Sequence, residues 1–276
     1  MESEQYLAAA EKKYKQNLEN FISGIFRESF LPSHGPGHHR RVWKYGCELA
    51  VNGLFQVRDE LSALKLLIAC YLHDAGMAYE RGEMHGKRSM ELCRIFLRKN
   101  HLHDEDFEDV LGAIENHDKK DYSEAGDPSS LKLILSIADD LDAFGFTGIY
   151  RYIEIYLERN VPLNQLGRKI GINAGTRYEN FRKHCSHSPD LLNRHSIRYR
   201  VLEDFCLNYT MQSDSYIFGT GSPQGFCGIA EIIGEMLKQK IYPGTEMNRY
   251  IAERACSDTV ILWFSGELEK EMSEAI

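Results

Sequence analysis

Leu66-Leu67-Ile68-Ala69-Cys70-Tyr71-Leu72 is apolar on every face and runs without a turn signal into His73-Asp74. A helix that is hydrophobic all round belongs in a core, so the pair that follows it starts inside the protein. The run is also far too short to cross a bilayer. Upstream, residues 4–27 place Tyr6, Ala9, Ala10, Tyr14, Leu18, Phe21, Ile22 and Ile25 near i, i+3, i+4 spacing, the stripe of an amphipathic helix. Pro32 and Gly35-Pro36-Gly37 break that helix, a second stripe begins at Val42 with Tyr45 and Leu49, and Asn52-Gly53 closes it as a glycine C-cap would. The same periodicity predicts helices over about 58–74, 87–99, 104–117, 129–143, 146–159, 176–184 and 189–211, while period-two alternation is scarce. The expected fold class is all-α.

With 276 residues, 43% hydrophobic and 27% charged, the chain has the composition of an ordinary soluble protein with a sizeable core. A net charge of −8 gives no long-range attraction for nucleic acid. The seven cysteines are odd in number and form no C-x-x-C pair, which points to free thiols in a reducing compartment. The polar, acidic start Met1-Glu2-Ser3-Glu4-Gln5 does not resemble a secretory signal. A cytoplasmic protein with no membrane partner is expected. Ser213–Pro223 is rich in Ser, Gly and Thr and predicts a connector, dividing a domain over 1–212 from an extension over 213–276 that packs on it or forms an interface. That extension is expected to be mostly helical, over 229–238 and 248–271, with Thr259–Phe264 open to a short strand instead. Gly219-x-Gly221-x-x-x-Gly225 misses the spacing of a nucleotide loop and is better explained as a joint.

A second apolar helix, Leu131-Lys132-Leu133-Ile134-Leu135-Ser136-Ile137-Ala138, runs into Asp139-Asp140-Leu141-Asp142. An unpaired buried carboxylate costs several kcal/mol, on the order of its lost hydration. Two apolar helices that each deliver carboxylates inward therefore call for a cation, and histidine beside aspartate suits a borderline divalent ion. Other histidines stand near helix ends: His34 and His38 ahead of Arg41-Val42, His85 in Met84-His85-Gly86, and His117 in Glu115-Asn116-His117-Asp118.

This ordered set resembles the HD-domain superfamily of metal-dependent phosphohydrolases. Its signature is a histidine in an H-x-x-R-V setting, a His-Asp pair closing an apolar helix, and a distant aspartate in an A-D-x-L-D or A-D-x-L-H setting. His38, His73 with Asp74, and Asp139 match it, over roughly residues 20–210; His39 is the competing register for the first, and His38 is preferred because Arg41-Val42 then falls at the family spacing. The resemblance implies a helical bundle around one or two divalent ions, with Mn, Fe, Ni, Co, Zn and Mg not distinguished. It further implies that Asp74 bridges two ions, with His38, His73 and Asp139 on one and His85 and His117 on the other. Met77 stands where many two-metal members carry a lysine after His-Asp-x-Gly, and their Gly-Tyr-Pro extension is absent.

The function so implied is hydrolysis of a phosphoester or phosphoanhydride, of a nucleotide or similar small phosphate, by metal-activated water. Asp74 sits at the centre of that chemistry, and Glu80, Glu83 or a metal-bound water are the candidates for leaving-group acid. Lys119, Lys120, Arg177 and Arg198 are candidates for neutralising substrate phosphate. Asp142, one turn after Asp139, is a candidate for orienting a ligand histidine, with Arg41 as a structural ion-pair partner; Asp140 is expected to be solvated or ion-paired. Two rivals stay open: an HD-fold di-iron oxygenase and a non-catalytic ligand-binding sensor. A homo-oligomer is compatible with the extension.

Overall fold

The computed structural model describes residues 2–82, 84–119, 130–254 and 256–274. Among them are twelve α-helices and no strand, so the all-α expectation holds. The chain divides into two compact units.

The first unit, residues 1–142 with 180–188, contains α1 (Glu2–Ile25), α2 (Pro36–Val51), α3 (Glu60–Leu72), α4 (His85–Lys99), α5 (Glu108–Glu115) and α6 (Leu131–Asp142). α3 is its axis and packs against α1, α2, α4, α5 and α6. That is why it reads as apolar all round: Ala63, Leu64 and every residue from Leu66 to Leu72 are buried. Each fully buried Leu or Ile contributes roughly 2 kcal/mol. By composition Glu60–Ala78 is apolar enough to span a bilayer, but 78% of it is buried inside the protein, as befits a core helix.

Local signals set the ends. Pro36 occupies the first turn of α2, where its missing N–H costs nothing. At the other end Gly53 takes φ +86°, and the amides of Gly53 and Leu54 bond the carbonyls of Ala50 and Leu49, the glycine cap that Asn52-Gly53 predicts. The helix expected over 104–117 is shorter: Asp104–Phe107 form a 3₁₀ turn and α5 stops at Glu115, leaving His117 beyond its end.

The second unit, residues 143–179 and 189–276, contains α7 (Gly145–Glu158), most of α8 (Leu166–His184), α9 (Pro189–Ser213), α10 (Gly225–Gln239), α11 (Thr245–Glu253) and α12 (Thr259–Glu274). The boundary expected at 212/213 thus falls inside this unit, because α10 packs on α7 and α9, and α12 on α7. α8 begins ten residues before the predicted 176. Gly167, Gly171 and Gly175 look like helix breakers in isolation, yet they line one face, and a Cβ on Gly167 would meet Cys206 O at 2.9 Å and Thr210 Oγ1 at 2.6 Å. The glycines let α8 lie directly on α9. The single helix expected over 248–271 is two, since the Asp258 carboxylate accepts from the amides of Val260 and Ile261 and starts α12 afresh. Thr259–Phe264 is therefore helical rather than a strand, with Ile261, Phe264 and Leu268 turned inward. In the 214–224 connector the Glu231 carboxylate accepts from Gly219 N–H and Tyr216 O–H, so an anion of the protein's own faces the glycine loop.

Candidate metal centre

Helix ends deliver the side chains. His38 lies in the first turn of α2, His73 caps α3 with Asp74 next, His85 is the first residue of α4, His117 follows α5, and Asp139 and Asp142 lie in the last turn of α6. Two glycines make that convergence possible. A Cβ on Gly76 would lie 2.2 Å from His85 O, and one on Gly86 would lie 2.6 Å from Glu115 O. The start of α4 is therefore held against both the turn after Asp74 and the end of α5, and the Gly76 amide donates to Ser89 Oγ at 2.8 Å.

Each imidazole is fixed through Nδ1. His73 Nδ1 bonds Cys70 O at 3.0 Å, His85 Nδ1 bonds Gly82 O at 2.6 Å, and His117 Nδ1 bonds Ile114 O at 2.7 Å. A carbonyl can only accept, so these three nitrogens carry the proton and Nε2 is left for the interior. His38 Nδ1 bonds Asp142 Oδ2 at 2.7 Å, and Asp142 is itself clamped by Arg41 Nε at 2.6 Å and Nη2 at 3.0 Å. The expected roles of Asp142 and Arg41 match this geometry.

The four Nε2 atoms meet Asp74 from two sides. Asp74 Oδ2 lies 3.3 Å from His38 Nε2 and 3.5 Å from His73 Nε2, and Asp139 Oδ1 lies 3.8 and 3.9 Å from the same two atoms. Asp74 Oδ1 lies 2.9 Å from His117 Nε2 and 3.4 Å from His85 Nε2. His38, His73, Asp74 and Asp139 form one buried group with donor atoms within 4.8 Å of one another, and Asp74, His85 and His117 form a second.

Electrostatics favours a cation there. Burial is the largest influence on His73 and, with neighbouring imidazoles, lowers its pKa to about 3 against the pull of Asp74. His73 is thus neutral, yet its Nε2 stands 3.1 Å from that of His38. Two nitrogens that close are reconciled only by a shared proton or a cation. Burial alone would raise Asp74, but the surrounding histidines outweigh it and hold the carboxyl well below its ordinary range. His117 shows the converse: burial lowers it, and the hydrogen bond and charge of Asp74 lift it above the ordinary histidine value. Its Nε2 proton is the one that metal binding would displace. The donor set, imidazole with carboxylate and no thiolate, fits a divalent ion.

The other described candidates are not members of these two donor groups. Glu80 is exposed and its carboxylate accepts from the Gly82 amide at 2.9 Å, supporting the carbonyl that holds His85. Glu83 and Lys120 lie outside the described residues. Lys119 bonds Asn116 Oδ1 at 3.0 Å on the surface. Arg177 and Arg198 belong to the second unit: Arg177 bonds Asn173, and Arg198 bonds Phe144 O and pairs with Glu271. Met77 is buried, and so is Asp140, which removes solvation from the two alternatives expected for it and leaves the ion pair. Three further residues border the two donor groups, of which His34 and His39 already stood out beside His38 in the sequence. His34 is buried with its ring 5.3 Å from that of His38. His39, fully buried, sets its ring 5.7 Å from that of His73 with both nitrogens lacking a hydrogen-bond partner. Asp118 Oδ2 lies 3.9 Å from His85 Nδ1. A repeated His-Asp pair at 117–118 is the one signal that could have marked Asp118.

Residues 37–143 match the family model described as HD domain. Over this segment the chain is similar to HD domains. The match takes in α2 to α6 and with them all six histidines and aspartates of the two donor groups. HD domains bind divalent metals and are in general those of metal-dependent hydrolases. No curated protein and no solved structure matches the chain.

Proposed function

We propose that this chain is a metal-dependent phosphohydrolase that cleaves a phosphoester or phosphoanhydride of a small molecule, a nucleotide or a similar phosphate. One observation carries the proposal: the two oxygens of Asp74 face separate histidine pairs, so that two donor groups share one buried carboxylate. His38, His73 and Asp139 would hold one ion with Asp74, and His85 and His117 a second. A divalent ion so held lowers the pKa of water and neutralises charge on the phosphate.

The chain's own contribution is placement. Arg41 and Asp142 hold the His38 ring, the carbonyls of Cys70, Gly82 and Ile114 hold the other three, and buried walls limit bulk water around them. In the overall reaction water forms the new P–O bond while the bond to the leaving oxygen breaks, and that oxygen departs protonated. The free state of all seven cysteines supports a reducing, cytoplasmic setting.

The test is metal analysis of protein purified without chelator, followed by a panel of phosphate substrates. Loss of a partner behind a ligand costs about 10–100-fold, so losing a ligand itself in Asp139→Ala should cost at least about 100-fold in kcat/KM. An Asp139→Ala variant as active as the parent rejects the proposal. The buried Met77, which offers no cation to a phosphate, keeps a di-iron oxygenase as second reading. Two irons with oxygen uptake and no phosphate release would select it.

A further inference from the structure

We infer that the α8–α9 face of the second unit is a contact surface for a second copy of this chain. A cavity of about 500 Å³ lies along these two helices, floored where Gly167 and Gly171 let α8 close directly on Cys206 of α9. Along its rim Ile172, Leu207 and Met211 line it and are 65%, 59% and 75% exposed. One face thus offers both a hole and the apolar knobs to fill such a hole, which suits a partner with the same face.

Charge selects that partner over a small apolar ligand. The two charged residues lining the cavity are Arg168 and Glu203. Among the described residues Arg168 makes no ion pair, and Glu203 accepts only a Tyr199 hydroxyl at 3.1 Å. α8 and α9 run antiparallel, since Gly167 neighbours Thr210 while Gly175 neighbours Tyr199. Arg168 therefore lies level with Thr210, and Glu203 is seven residues, about 10 Å, further along the groove. A two-fold axis across the middle of the groove sets Arg168 of each copy on Glu203 of the other, with Ile172 and Leu207 between. An amphipathic acid would satisfy Arg168 and leave Glu203 facing apolar matter. The apolar centre supplies affinity, and the paired ends fix the register.

The test is sedimentation velocity of the full chain over a range of concentrations, with circular dichroism as the check on folding. The parent is expected to sediment as two chains and Leu207→Glu as one. Arg168→Glu and Glu203→Arg should each weaken association at least about tenfold, since like charges then meet. The double variant R168E/E203R should return it to near the parent's. Because all three positions are exposed the variants should fold; were Leu207→Glu to misfold, the charge pair still decides. A parent that remains one chain, including one whose cavity takes up an apolar dye, overturns the inference. So does a double variant no tighter than its single parents.

Discussion

At the scale of single residues, the centre is built from side chains whose second polar atom is already committed. Asp142 is the clearest case: fully buried, it accepts from His38 and from two nitrogens of Arg41. Asp142→Asn keeps the shape but weakens the hold on both partners. Divalent-metal affinity, measured by competition with a chromophoric chelator, is expected to fall about 10–100-fold. Unchanged affinity would show that His38 needs no orienting acceptor. Acidity acts through other residues. His73 has a folded pKa of about 3, and burial likewise holds His39 well below 6.5. Their unfolded rings protonate near 6.5, so between there and the folded values the unfolded chain binds more protons, and stability falls as pH falls. His117, shifted the other way, contributes stability that is already fully present below 6.5 and adds no opposing slope in that window. The depressed Asp74 adds its own loss only below about 3.9. Metal-free protein should therefore lose about 1.4 kcal/mol per pH unit for each of the two histidines well below pH 6.5. Denaturant titrations at successive pH values measure it, and a flat profile from neutrality to pH 5 would contradict it.

At the scale of elements, the position of α4 decides whether the second donor group exists. Gly86 has no room for a Cβ against the Glu115 carbonyl. Gly86→Ala must part α4 from α5 and carry His85 away from His117, whose Nε2 atoms now stand 3.4 Å apart. Overpacking of this kind typically costs about 1–3 kcal/mol. The expected outcome is a drop from two bound metals to one, read by mass spectrometry of metal content, with binding through His38, His73 and Asp139 retained. An unchanged stoichiometry would show that α4 can yield. This dependence was invisible in the sequence. The apolar runs into His73-Asp74 and Asp139 stood out because burial and charge conflict within one helix, a conflict legible without a partner. Gly86 follows His85 like any loop glycine, and only the tertiary neighbour shows what it must avoid. Gly167, Gly171 and Gly175 hid the first ten residues of α8 for the same reason: their weak helix propensity is local, and the approach of α9 that favours them is not. Asp258 was legible in principle, as a capping residue ahead of an apolar run. Removing it in Asp258→Ala should cost about 1 kcal/mol of thermal stability.

At the scale of the whole chain, both donor groups fall in one unit, so a metal held there would be linked first to the folding of that unit. A ligand that binds the folded state alone stabilises it by RT ln(1 + [L]/Kd), about 2.7 kcal/mol at a hundred times Kd. Every residue of both donor groups lies in residues 1–142, and α10, α11 and α12 supply none. A divalent ion held there would draw together the ends of α2, α3, α4, α5 and α6, where metal-free protein must hold four imidazoles and two carboxylates by hydrogen bonds and protons alone. Hydrogen exchange followed with and without metal should therefore slow in the amides of α2 to α6, most at their converging ends. The rates in α10 to α12 should stay within about twofold. Asp74→Ala removes the one residue common to both groups, so it should abolish the protection in both halves of the site at once, whereas Asp139→Ala should spare the slowing around His85 and His117. Equal slowing in α10 to α12 would mean that the stabilisation spreads through the chain as one cooperative body, and protection that survives Asp74→Ala would mean that the ion sits elsewhere.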